Sequence, residues 1–267
     1  MKHPLLFAIP LVLVTIFPAR SQQVPNATSP DSPQTAMTPR QTAEVRADIL
    51  MARKEFVDAI RAYNELLKDE PRNAEVLNKV GVAYQQLIDL RRAESYYKKA
   101  MHADKTFASA INNIGTVEYE KKHYGKAIDY YKKALELHKD TATVYSNLAY
   151  AYLEDKKYPE ALDAFRNAIA IDPTVFDRKG GGGTVVQQRT TTDQGLFAFM
   201  VAKSYAMAGD AEHAARYLKM ARDDGYKDFA AIAKDPAFSK VIKDPRVQEV
   251  FTVTPAYATD HQKPGAN

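Results

Sequence analysis

Residues 74–107 read AEVLNKVGVAYQQLIDLRRAESYYKKAMHADKTF, and residues 108–141 read ASAINNIGTVEYEKKHYGKAIDYYKKALELHKDT. Set one above the other, they align Gly81 with Gly115, Ala93 with Ala127, Tyr97 with Tyr131 and Ala100 with Ala134. The same 34-residue step adds Ala59, Tyr63 and Leu66 on one side and Ala161, Phe165 and Ala168 on the other. Upstream in each block, Leu77-Val80-Gly81-Tyr84, Ile111-Ile114-Gly115 and Tyr145-Leu148-Ala149-Tyr152 keep the register, and Pro71 and Pro173 end the first and fourth blocks. So many columns at one period mark a repeat array.

Each block predicts two helices. Leu77, Val80, Gly81 and Tyr84 share one stripe of a first helix, and Ala93, Tyr97 and Ala100 share one stripe of a second. A small residue where helices cross lets the backbones approach, and the aromatic ring of the partner helix fills the space beside it. Polar stretches such as Asp89-Leu90-Arg91 and Lys121-Lys122-His123 are expected to make the tight turns. A lone hairpin leaves an apolar stripe uncovered, so the blocks must stack.

These residues resemble the tetratricopeptide repeat, whose consensus runs through an aromatic or Leu, Leu-Gly, Tyr, Ala, an aromatic, Ala and a closing Pro. The resemblance covers residues 40–173 as four units starting near Arg40, Ala74, Ala108 and Ala142. It implies an all-α, right-handed α-solenoid of stacked antiparallel helix pairs with a concave face. The first unit departs most, with Ala43, Arg46 and Ala47 at the aromatic, Leu and Gly positions, as suits a terminal unit facing solvent. The second and third end in Lys105 and Lys139 in place of Pro.

A fifth unit over 195–228 is out of step: Ala198, Val201, Ala202, Tyr205, Ala214, Leu218 and Ala221 fit a start near Gly195. The insertion this requires, residues 174–194, holds Gly180–Gly183, Thr184-Val185-Val186 and Thr190–Thr192, and reads as a loop or a small β-hairpin. It is no phosphate cradle, because no Lys-Ser/Thr pair follows the glycines and no strand precedes them. Asp235-Pro236 and Asp244-Pro245 are helix-start signals, so short capping helices are expected over 229–251, at 229–234, 236–242 and 245–251.

The N-terminus, residues 1–21, reads as an export signal: Lys2 and His3, then an apolar run from Leu5 to Phe17 broken by Pro10 and Thr15, then Ala19-Arg20-Ser21. That run is shorter than the ~20 apolar residues of a membrane span, although an uncleaved anchor is the other reading. Cleavage would remove Lys2 and Arg20 from the 37 basic residues and leave them nearly balanced by the 33 acidic ones. The expected destination is the periplasm or the extracellular space. Residues 22–40, with Pro25, Pro30, Pro33 and Pro39, and the end of the chain, 252–267, have compositions that read as disordered tether and tail.

With no cysteine, thiolate metal sites, disulfides, cysteine nucleophiles and a lipid-modified cysteine are excluded. His102, His123, His138 and His213 fall at solvent-facing repeat positions without metal-ligand spacing, and Ser95, Ser109, Ser146 and Ser204 lie inside helical patterns. No enzyme, cofactor or metal is expected. Basic pairs (Arg91-Arg92, Lys98-Lys99, Lys121-Lys122, Lys132-Lys133, Lys156-Lys157) are interleaved with Asp89, Glu94, Glu120, Asp129 and Asp155, the pattern of a solvated face and not of a nucleic-acid surface.

What remains is the concave face, which the resemblance places on positions 2, 5, 9, 12 and 13 of each first helix. In the second unit these are Glu75, Asn78, Val82, Gln85 and Gln86. In the third they are Ser109, Asn112, Thr116, Tyr119 and Glu120; in the fourth, Thr143, Ser146, Tyr150, Leu153 and Glu154. The lining is largely uncharged, lacks the basic set that grips a C-terminal carboxylate, and suits a peptide segment. Asn113 and Asn147 match a consensus Asn and read as structural. The expected function is a protein-interaction scaffold of the cell envelope whose groove takes a protein or peptide partner. The competing readings are an accessory or catalytic domain using the insertion, and a self-associating repeat protein forming a homo-oligomer.

Overall fold

The computed structural model describes residues 37–138, 141–177, 193–226 and 228–252. The readings made for residues 1–36, for Gly180–Gly183 and Thr184–Thr192, and for 253–267 lie outside the described residues. Helices α1 (Pro39–Ala52) and α2 (Phe56–Asp69) form the first hairpin, α3 (Ala74–Gln86) and α4 (Leu90–Ala103) the second, α5 (Ala108–Glu120) and α6 (Tyr124–Leu137) the third. The fourth is α7 (Ala142–Glu154) with α8 (Tyr158–Ile171), and the fifth is α9 (Gln194–Ala208) with α10 (Ala211–Asp223). Each helix packs on its predecessor and successor, which gives an all-helical solenoid. Helix α1 begins at Pro39 and not beyond it: Thr38 and Gln41 form a reciprocal capping box, and the fixed φ of Pro suits the first helical position.

The 34-residue columns form the core. Ala59, Ala93, Ala127 and Ala161 are all fully buried, as are Tyr97, Tyr131 and Phe165, with Tyr63 1% exposed. The glycine column has a steric cause. A Cβ on Gly81 would lie 2.5 Å from the Tyr97 ring, and one on Gly115 would lie 2.7 Å from the Tyr131 ring. Each buried tyrosine also needs an acceptor for its hydroxyl. Tyr63 donates to Asp48 (2.5 Å), Tyr97 to Gln85 (2.7 Å) and Tyr131 to Thr116 (3.3 Å), each on the first helix of the same hairpin. In the fourth hairpin, where Phe165 takes the place of the tyrosine, the first helix presents the ring of Tyr150 instead.

The tight turns share one backbone solution. The residue before each second helix's cap is left-handed: Lys54 (φ 62°), Ile88 (61°), Lys122 (63°), Lys156 (59°) and Gly209 (88°). Asp89 is the N-cap of α4, accepting from Arg92 N–H, so Leu90 and Arg91 belong to the helix and not to the expected turn. Beyond the fourth hairpin, residues 173–177 dock on the fifth: Pro173 and Phe176 carbonyls accept from Tyr205 and Tyr217 (2.6 and 2.9 Å). Asp177 is held by His213 (2.9 Å) and Arg216. Past α10, 3-10 turns at Phe229–Lys234 and Pro236–Phe238 lead to α11 (Pro245–Thr252), the second stopping short of the 236–242 expected. Ile232, Phe238, Val241, Val247 and Val250 bury themselves against the last hairpin, and Arg222 donates to the Val250 carbonyl (2.9 Å).

Candidate functional site

The first helices α3, α5 and α7 lie side by side, and the length of α3 with the N-terminal halves of α5 and α7 walls a groove of 710 Å³. Asn73 caps α3 by accepting from Val76 N–H (3.0 Å), which sets the start of that helix and the aim of its first turn. Glu75, Asn78, Val82 and Gln86 line the groove from α3, Ser109 and Asn112 from α5, and Thr143 from α7.

The other eight expected lining residues are not in it, and the packing explains why. Position 12 of the second unit and positions 9 and 12 of the third and fourth face the second helix of their own unit or the next unit, whereas Val82, position 9 of the second, reaches the groove. Gln85, 7% exposed, is taken by Tyr97 and by Glu120, to which it donates (2.7 Å). Thr116 lies under Tyr131, and Tyr119 packs on Tyr124 with ring centroids 5.3 Å apart. Tyr150 is stacked on Phe197 of α9 (5.1 Å) and edged by Phe165 and Phe176, and burial pushes its hydroxyl pKa up. Ser146 and Leu153 are buried in the same layer, while Glu120 is exposed and Glu154 half-buried away from the groove.

The groove gains residues that the repeat positions did not indicate. Lys79 and Asn113 stand one place beyond the expected Asn78 and Asn112, Phe107 and Thr141 stand at the entrances of α5 and α7, and His138 comes from the exit of α6. Adjacent helical positions differ by about 100° in azimuth, so a wide groove reaches both. The polar floor is a chain of four amides. Asn147 donates to Asn112 (3.0 Å), Asn112 to Asn113 (3.2 Å), and Asn113 to Asn78 (3.0 Å). Three of them are no more than 4% exposed, so the chain stitches α7 to α5 to α3 from inside and surfaces at Asn78. Asn113 and Asn147 thus have the structural role expected of them, and Asn112 shares it.

At the N-terminal end the groove is charged. Lys79 meets Glu44 (2.9 Å) and Asp48 (3.1 Å) of α1 and Glu75 (3.5 Å) of its own helix. Burial works against the ammonium, but the bonds to Glu44 and Asp48 outweigh it and hold its pKa above the ordinary lysine value. Among the described residues no three His, Cys, Asp or Glu side chains gather as metal ligands, and no helix is long and apolar enough to cross a membrane.

Tetratricopeptide repeat models match residues 45–106 and 106–174. No curated protein sequence matches the chain. Among solved structures, PilF of Pseudomonas aeruginosa is 19% identical, with 79% of this chain and 88% of that one covered at a TM-score of 0.52, a likeness of fold. A MamA crystal structure is 25% identical over 68% of this chain and 95% of its own (TM-score 0.48). MamA 41-end from Desulfovibrio magneticus RS-1 is 18% identical over 72% and 99% (TM-score 0.49). With its hairpins, its glycine and alanine columns and these two matches in register, the chain is a tetratricopeptide-repeat protein.

Proposed function

We propose that this protein is an exported scaffold of the cell envelope that holds a peptide segment of a partner protein in the groove between α3, α5 and α7. Tetratricopeptide repeats serve protein–protein interaction in general. The observation that carries the finer reading is the groove's lining: Asn78, Gln86, Ser109 and Thr143 offer amide and hydroxyl groups along three successive units. Such groups pair with the main chain of an extended peptide whatever its side chains, and Val82 and Phe107 supply apolar contacts for anchors. Export follows from the N-terminal reading and is checked by the mass of the mature protein, which should begin at Gln22.

The groove is tested with Gln86→Trp and Ser109→Trp, at exposed positions where an indole fills the groove without entering the core. Partners captured from the envelope by the native protein should be lost from both variants while their helical circular dichroism is unchanged. A partner held equally by native protein and both variants would sink the groove reading.

A further inference from the structure

The hairpin topology places every turn between first and second helix along one edge of the solenoid, because the first helices run parallel to one another. That edge sorts the basic pairs of the sequence in a way composition does not reveal. In most pairs one member is neutralised: Arg92 by Asp89, Lys121 by Glu94 and Glu118, Lys157 by Asp155. The other member, Arg91, Lys122 or Lys156, is exposed and has no ion pair among the described residues, and Lys54 stands in the same state in the first hairpin. Lys54, Lys122 and Lys156 are the left-handed turn residues themselves, so a rigid backbone holds them at the tip of each hairpin. Of the acidic groups of these turns, Asp89 and Asp155 are paired with those cations. Glu120 and Glu154 are hydrogen-bonded to the neutral Gln85 and Tyr124 and, with Glu55, keep their charge, three anions against the four unpaired cations Lys54, Arg91, Lys122 and Lys156.

A second observation is independent of charge. Most large apolar side chains on the described surface are scattered, but Val57, Leu87, Ile88 and Tyr158 all lie within three residues of one of these left-handed turn residues, exposed by 60, 43, 83 and 42%. Ile88 is the sharpest case. It occupies the left-handed position that lysine or glycine fills in the other hairpins, a conformation that a β-branched residue disfavours, and it does so without burying its side chain.

We propose that this edge docks on an anionic lipid bilayer, with Lys54, Arg91, Lys122 and Lys156 over the headgroups and Leu87, Ile88 and Tyr158 in the interfacial layer. Cations and aliphatic tips on one line match a surface that is charged outside and apolar just beneath. Tyrosine belongs at that boundary. A nucleic acid offers the charge but nothing for exposed aliphatic side chains at the turns. Contact is peripheral, through turns, and leaves the groove between α3, α5 and α7 open to a protein.

The test is flotation of the full-length protein with vesicles of phosphatidylcholine alone and of phosphatidylcholine mixed with phosphatidylglycerol. The native protein should partition onto the mixed vesicles and be released by salt. Each lysine near an anionic surface multiplies the partition coefficient about fivefold, so Lys54→Gln/Lys122→Gln/Lys156→Gln should weaken binding on the order of a hundredfold. Ile88→Asn should weaken it about tenfold by removing the apolar tip, and its melting temperature should rise, which separates lost docking from lost folding. Binding that is equal on both lipid compositions, or unchanged in the lysine variant, belongs to the apolar run at residues 5–17 and overturns the proposal. Retention on duplex DNA equal for native protein and Ile88→Asn, without vesicle binding, overturns it in favour of a soluble polyanion.

Discussion

The array is joined in two different ways. Between the second, third and fourth hairpins, first helix meets first helix through the amide chain Asn147–Asn112–Asn113–Asn78. Between the fourth and fifth, the same layer is filled by Tyr150, Phe165, Phe176 and Phe197, all within 6.4 Å of one another by ring centroid. Both joints exclude water, but they contribute differently. Buried amides return little net stability because they give up water to pair, yet an amide that slips by one residue loses its partner, so the chain fixes register. Rings add apolar area and edge contacts with weaker directional demands, so they hold strongly. The difference also coincides with the break in the repeat period: where the fifth unit arrives out of step, rings replace amides.

The contrast is open to direct attack, most severely at Tyr150. Tyr150→Ala removes the centre of the ring cluster and should cost about 3–5 kcal/mol, read by urea unfolding, with the fifth hairpin melting before the rest. A single transition with a loss under about 1 kcal/mol would mean that the ring joint is not the strong one. Next comes the glycine column. Gly81→Ala drives a methyl into the Tyr97 ring and should cost about 1–3 kcal/mol, whereas Ala149, its counterpart beside Phe165, already carries that methyl fully buried. Equal tolerance of alanine at 81 and 149 would remove this distinction between the halves.

Asn112→Ala takes away the acceptor used by Asn147 and the donor used by Asn113, and should cost about 1–3 kcal/mol in thermal or urea unfolding. Asn112→Leu, which matches the ring joint in chemistry, should recover little, because Asn113 and Asn147 keep buried polar groups. The smallest effect is electrostatic. Glu94 joins the second hairpin to the third through Lys121 and also meets Lys98. Burial opposes its charge, but hydrogen bonds from the two lysines prevail and hold its carboxyl pKa below the usual carboxylate value of 4.5. A depressed folded pKa means that this contribution is present above pH 4.5 and is lost as pH falls through the lower folded value. Glu94→Gln should flatten that acid limb by less than about 1 kcal/mol and leave the ring joint unaffected.

These joints were unequally legible in the sequence. The fold was readable because each buried column, such as Ala59–Ala93–Ala127–Ala161, recurs at a fixed step and obeys helical geometry locally. The groove was readable at position 2, where Glu75, Ser109 and Thr143 all line it, and in part at position 5, where Asn78 and Asn112 line it but Ser146 is buried. At positions 9 and 12 the expectation held for Val82 and failed for Gln85, Thr116, Tyr119, Tyr150 and Leu153. Whether Tyr119 or Tyr150 faces a ligand or a neighbouring repeat depends on how the next unit leans, and for Tyr150 that unit begins some forty residues later across an aperiodic segment. The charged end was hidden for the same reason: Lys79 finds Glu44 and Asp48 on a helix whose sequence departs from the repeat at Ala43, Arg46 and Ala47.

The amide chain also has a direction. Every link runs the same way, N–H to carbonyl, from Asn147 inside the protein to Asn78 at the groove, so the oxygen of Asn78 is already engaged by Asn113. Reversing what the groove shows at that point means turning over all four amides together, since any one alone would set donor against donor or oxygen against oxygen. The orientation of the Asn78 amide is thus set from within, through Asn112 and Asn113, by a residue of the fourth hairpin that does not line the groove.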